Sequence, residues 1–173
     1  MIKYNLEYFE SILVRCSTTA EQIFKIKWDF IKDLQPKTVL DYGCGVGWFR
    51  AYREKDVEVD SFDVGNFPQT GIRCDKYDVI CLWDVIEHIP DYMEVLEKLS
   101  KMTDHIALSI PIKPKDIAWK DWNHFKIEQH LHQFDLERLD MIFDYFKFKK
   151  IKCEQPECPP RVDVFNMIYE KIC

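Results

Sequence analysis

No apolar run in this 173-residue chain approaches the ~20 residues that a membrane-spanning helix needs. Its opening, "MIKYNLEYFESILVRC", sets acids among the apolar residues and so lacks the charged-then-apolar layout of a signal peptide. A basic surplus is missing as well. The 24 Lys and Arg stand against 30 Asp and Glu, and a net charge of −6 gives no general pull toward nucleic acid or anionic lipid. The seven cysteines (Cys16, Cys44, Cys74, Cys81, Cys153, Cys158, Cys173) are odd in number and scattered, with no disulfide framework, and read as reduced thiols of a cytoplasmic protein. Cys153 and Cys158 alone approach metal spacing, and the absence of a second pair argues against a zinc finger. Internal repeats and low-complexity tracts are absent too.

Glycine is scarce, with five in all, yet three fall within "VLDYGCGVGWF", Val39 to Phe49. A strand-like run ending in Asp41 and three glycines that open a helical stretch fit a loop whose backbone approaches a ligand closely. The spacing of Gly43, Gly45 and Gly47 is two by two, whereas the dinucleotide fingerprint is G-x-G-x-x-G. That spacing argues against a nicotinamide cofactor. Asp41 beside the loop suits a cation better than a phosphate.

Length and apolar content suit one core, and a single domain over residues 1–173 is expected. Within it, 1–36 reads as a helical cover, 37–112 as a cofactor-binding half, 113–135 as a substrate loop and 136–173 as a C-terminal helix and hairpin. Thr18 and Thr19 before Glu21 and Gln22 predict a capping box. Ile23, Phe24, Ile26, Phe30, Ile31 and Leu34 then recur at helical spacing up to Pro36. This helix covers either one face of a sheet or the glycine loop. Strands are expected at Thr38 to Tyr42, Val57 to Asp63, Tyr77 to Trp83 and His105 to Ile110, with helices at Val46 to Lys55 and Asp91 to Met102. That alternation means crossover units and a parallel sheet. After an ordered loop rich in Trp and His come a helix, Leu136 to Tyr145, and strands at Phe148 to Cys153 and Val164 to Tyr169. The proline-rich link between those strands allows only a hairpin, so the sheet should end antiparallel.

"VLDYGCGVG", an acid at the strand end (Asp63), "YDVICLWDVIEHIPD" and, more loosely, "HLHQFDLERLDMIF" resemble the class I S-adenosylmethionine-dependent methyltransferases. The resemblance implies an α/β, Rossmann-like sheet of seven strands, mostly parallel, with an antiparallel C-terminal hairpin. It implies that Asp41, Gly43, Gly45 and Gly47 surround the donor's methionine moiety and that Asp63 accepts from both ribose hydroxyls, with Trp83 and Asp84 at the same site. The chain departs from the family between strands 2 and 4. Only "VGNFPQTGIRCDK" stands between Asp63 and Tyr77, so the third strand is vestigial, and Asp75 is the one acid placed to reach the adenine.

A hydroxyl acceptor would need a base, and His124, His130 and His132 lie in the loop after His105 to Ile110, where open parallel sheets bind ligands. Trp83, Trp119, Trp122 and Phe125 are candidates to line a dry aromatic cavity. Asp84, Glu87 and His88, at i, i+3 and i+4, share a face. Similar acid-x-x-E-H segments chelate a divalent ion such as Mg²⁺ in some members of the family and are architectural in others, and no metal ligand is assigned. The expected activity is O-methylation of a small-molecule or sugar hydroxyl, with no nucleic acid or membrane as partner. The alternative is a noncatalytic S-adenosylmethionine-binding partner protein.

Overall fold

The computed structural model describes residues 6–15, 19–65, 67–126, 128–157 and 161–172. Its six strands are β1 (Thr38–Tyr42), β2 (Glu58–Phe62), β3 (Val79–Trp83), β4 (His105–Pro111), β5 (Phe148–Glu154) and β6 (Val164–Lys171). They form one sheet in the order β2-β1-β3-β4-β6-β5, in which β2, β1, β3 and β4 are parallel and β6 runs antiparallel to both neighbours. The antiparallel hairpin expected from the proline-rich link is present. The sheet has six strands among the described residues rather than seven, because the chain from Asp63 to Lys76 crosses without adding a strand.

That crossing is held by side chains. The buried Asp60 carboxylate accepts from the Arg73 backbone at 2.9 Å, from Arg73 Nε and from the Tyr77 hydroxyl, and Thr70 and Ser61 exchange bonds near 3 Å. Burial would raise the Asp60 pKa, but the bonds from Tyr77 and Arg73 hold it below the ordinary carboxylate value. The loop therefore ends up tied to β2 by charge-assisted bonds in place of a β-ladder.

Alternation along the strands divides the core in two. Ile80 and Leu82 of β3 face one cluster with Leu40, Leu96, Leu99, Leu139 and Phe143, under α4 (Tyr92–Ser100) and α5 (Leu136–Tyr145). Val79, Cys81 and Trp83 face the other with Val39, Trp28, Phe30, Ile31 and Phe49, under α2 (Ala20–Ile31) and α3 (Trp48–Ala51). Trp28 and Phe49 stack at 4.1 Å between ring centres, Phe143 and Tyr169 at 3.9 Å.

Thr19 and Gln22 close the capping box of α2, worth roughly 1 kcal/mol, while Thr18 lies outside the described residues. The helix after the glycine loop is shorter than Val46 to Lys55. It stops at Ala51, since Tyr52 is exposed and the polar Arg53 to Asp56 offer nothing to bury. Ahead of α2, within the expected 1–36 cover, stands a second helix, α1 (Leu6–Arg15), to which the sequence reading assigned no separate element. Cys44, Cys74, Cys81 and Cys153 are free thiols; Cys16, Cys158 and Cys173 lie outside the described residues. No helix among the described residues is long and apolar enough to cross a membrane.

Candidate active site

The carboxyl ends of β1, β2 and β3 meet the glycine loop. Gly43 and Cys44 donate backbone N–H groups to Phe62 O at 2.7 and 3.1 Å, which ties the loop to the end of β2. Gly43 has φ +80°, and a Cβ there would stand 2.5 Å from a Val85 methyl. Gly45 has φ +50°, and its Cβ would stand 2.7 Å from the Phe9 ring. Both positions combine a left-handed backbone with a neighbour already in contact, so only glycine fits without strain. Phe9, on α1, meets Trp48 and Phe67 edge to face at 6.1 and 5.9 Å. The helix above the loop is thus α1, whereas α2 covers the sheet.

Asp63 lies just past β2. Its Oδ2 accepts from Gly45 N at 2.9 Å and its Oδ1 from Gly65 N at 2.7 Å, while the Gln69 amide bonds its backbone at both N and O. Asp41 shares the face of Val39, 2 % exposed, and its Oδ2 has no hydrogen-bond partner among the described residues. Burial, with the Asp63 charge adding and Lys27 opposing, raises its pKa to about 7. Burial also pushes the Cys44 thiol up to about 12, so it is no nucleophile near neutral pH. Asp75 is exposed.

At the end of β3 the arrangement is ionic. Asp84, with φ +58°, receives Arg161 through both terminal nitrogens at 2.6 and 3.0 Å, Lys27 Nζ at 3.3 Å and the Ser109 hydroxyl at 3.2 Å. Arg161 also pairs with the buried Glu157 at 2.6 Å. Burial alone would raise the Asp84 pKa, but Arg161 and Lys27 hold it well below the carboxylate range. Lys27 is only 3 % exposed and stands over the rings of Phe24 and Trp83, 5.3 and 5.4 Å from their centres. The Trp83 ring packs with Phe49 in the α2 face. Trp119, Trp122 and Phe125 form a cluster of their own in the long loop, with ring centres about 6 Å apart, and Trp122 donates to Asp163.

The three loop histidines go to different partners. His124 shares a hydrogen bond with Val162 O at 3.0 Å, and burial keeps its pKa below the ordinary value. His132 bonds Pro90 O through its ring and Glu87 O through its backbone N–H, and lies edge-on to Tyr92. His130 stands 4.9 Å from His88, ring to ring, and burial together with His88 lowers its pKa to about 4. Burial also lowers His88, and it raises Glu87 to about 8 with the Asp84 charge adding. Asp84 does not join the Glu87 and His88 side chains as the i, i+3, i+4 spacing suggested. Its oxygens are taken by Arg161, Lys27 and Ser109, and His130 stands with Glu87 and His88 instead.

Lys27, Glu157 and Arg161 were not among the expected site residues. Lys27 had a signal, since it occupies an inward position of α2 between Ile23 and Phe30 where the stripe calls for an apolar residue.

A model for a methyltransferase domain matches residues 18–152, well over half of the chain. The chain belongs to that family and is a methyltransferase, on the class I scaffold that its motifs implied. No curated protein sequence matches it. Among solved structures it is similar to the Burkholderia thailandensis 1,6-didemethyltoxoflavin-N1-methyltransferase with bound 1,6-didemethyltoxoflavin and S-adenosylhomocysteine. The identity is 16%, with 96% of this chain and 84% of that one covered and a TM-score of 0.70. A SAM dependent methyltransferase from Archaeoglobus fulgidus gives 16%, 95%, 100% and 0.68. Magnesium protoporphyrin IX methyltransferase from Synechocystis with bound SAM gives 17%, 88%, 79% and 0.60. At such identities the likeness is one of fold.

Proposed function

We propose that this methyltransferase transfers a methyl group from S-adenosylmethionine to a hydroxyl of a small molecule, with His124 as proton acceptor. The donor supplies a methyl group already activated on a sulfonium, so the chain's task is to hold, align and exclude water. The residues present fit such a donor. The unpartnered Asp41 Oδ2 at the glycine loop suits its ammonium group, and Asp63 offers two oxygens where a vicinal diol could exchange for the Gly45 and Gly65 amides.

The observation that carries the acceptor reading is the hydrogen bond of the His124 ring to Val162 O, next to Arg161 of the β3-end network. The Val162 carbonyl can only accept, so His124 Nε2 carries the proton and Nδ1 is left with a lone pair. Val162 follows Arg161, which grips Asp84, and this closeness in sequence to the network supports the reading. Relatives in structure support a small acceptor: two are named for methylating a didemethyltoxoflavin and a magnesium porphyrin. The same fold and site with no transfer would make the chain a noncatalytic donor-binding protein. The test is donor consumption with a panel of hydroxylated metabolites and sugars. His124→Ala should lower kcat about a hundredfold with donor affinity unchanged. Unchanged kcat would remove His124 as base, and donor binding without turnover on any acceptor would favour the noncatalytic reading.

A further inference from the structure

We propose that Trp83, Glu157 and Asn166 form a subsite for a neutral group in which a carbonyl stands beside an N–H, as in a lactam or ureide, and that the methyl acceptor carries this group. Its assignment to the acceptor rests on the small-molecule reading above; the subsite itself rests on the side chains.

The three side chains share one place. Trp83 ends β3 and is the ladder partner of Ser109 on β4, which in turn opposes Asn166 on β6, so these three lie in one row on the α2 face of the sheet. Across an antiparallel pair such as Ser109 and Asn166, Cβ atoms stand about 5 Å apart. Lys27 ties Glu157 to the row. Its Nζ is 5.4 Å from the Trp83 ring centre, 3.9 Å from Glu157 Oε1 and 3.3 Å from the Asp84 oxygen that also takes the Ser109 hydroxyl. The row lies toward the carboxyl ends of β3 and β4, where open parallel sheets take ligands.

The atoms left over point to a ligand. Asn166 is 0 % exposed, yet neither its Nδ2 nor its Oδ1 has a hydrogen-bond partner among the described residues, and the same holds for Trp83 Nε1 and Glu157 Oε1. Buried polar groups without partners are costly, and together these offer donors and acceptors to one molecule. A carboxamide pairs both of its ends at once with an edge that sets an acceptor next to a donor. The indole N–H suits the second lone pair of the same carbonyl, and Glu157 Oε1 suits a second N–H, which a ureide has and a lactam lacks. Charge is already balanced, since Lys27 and Arg161 each pair with both Asp84 and Glu157. A further buried charge would upset that balance, so the group is neutral.

The probe is 2-pyridone, whose ring N–H and carbonyl are adjacent, titrated into the chain with S-adenosylhomocysteine present and followed by ligand-observed NMR. Saturable binding is expected, and N-methyl-2-pyridone, which lacks the N–H, should bind about tenfold or more weakly. Asn166→Leu keeps the shape of the side chain and removes both polar ends. It should lose about tenfold or more in affinity for 2-pyridone and, because the amide has no partner to lose, melt at the wild-type temperature or about 2–4 °C higher. Trp83→Phe, which keeps a ring against Phe49, should lose about fivefold. Equal binding of the two pyridones, wild-type affinity in either variant, or no saturable binding would overturn the subsite. So would a lower melting temperature in Asn166→Leu, which would mean that an ordered water already satisfies the amide. The reaction is judged separately. Methyl transfer to a sugar hydroxyl that is unchanged in Asn166→Leu would keep the hydroxyl reading and overturn the subsite, while probe binding without transfer to any acceptor would keep the subsite and remove the reaction.

Discussion

The two sides of the site are made of different material. The loop from Asp41 to Gly47 is backbone: positive φ angles, amides bonded to Phe62 O, and one acid, Asp63, that reads the end of the loop. The end of β3 is side chain: Asp84 joined to Lys27 of α2, Ser109 of β4 and Arg161 of the β5–β6 link, 57, 25 and 77 residues away. A backbone site is specified by short-range sequence and fails locally when altered. An ionic site assembled from distant elements also holds those elements together, so its loss spreads to the fold.

The largest effect expected from that contrast is in stability. Arg161→Ala would leave Asp84 and Glu157 facing Lys27 alone, and breaking a buried pair costs about 3–5 kcal/mol. Urea denaturation should show a loss of that order, and Asp84→Asn in the Arg161→Ala background should restore part of it. A loss below about 1 kcal/mol would mean that the network is solvent-screened and the two sides do not differ in this way.

Gly45→Val should act in the opposite sense, on binding with the fold intact. The left-handed conformation costs a branched residue roughly 1–2 kcal/mol, and the new side chain meets Phe9. Calorimetry should show donor affinity lower by about tenfold or more while the melting transition stays cooperative. Wild-type affinity in a folded Gly45→Val would take the loop out of the site.

The smallest effect is a slope with pH. Burial raises the Asp41 pKa to about 7, and the donor's positive charge favours the ionised carboxylate. Binding should therefore release a proton below that pH. Affinity should rise by up to about tenfold per pH unit as pH approaches 7 and level off above it. The apo chain shows the reverse sign: a carboxyl with a raised folded pKa stabilises the fold less as pH climbs from its unfolded value, about 4, toward 7. Asp41→Asn should flatten both slopes, and a slope that persists in that variant would assign the proton elsewhere.

The backbone side was legible in the sequence because its determinants are adjacent. Three glycines, the acid before them and the acid at the end of β2 lie within 23 residues, Asp41 to Asp63. The helices and strands around them follow from period and capping. The ionic side was not legible, since nothing local in "ECPPRVD" says that Arg161 turns inward to Asp84. Asp84-x-x-Glu87-His88 was read as one face of a helix. The chain there makes a single 3-10 turn, Ile86–His88, after Asp84 adopts a positive φ, and this separates Asp84 from the other two. His130 reached Glu87 and His88 through a loop without periodicity, which no spacing rule covers. Lys27 alone left a mark, a cation on an apolar stripe.

The aromatic contact between α1 and the glycine loop bears on rates more than on affinity. Phe9 rests on Gly45 and meets Trp48 and Phe67 edge to face. On the proposed placement of the donor, the spent, demethylated donor leaves past this ring, so Phe9→Ala is expected to speed its release in stopped-flow measurements, and an unchanged release rate would mean that α1 does not stand in its way.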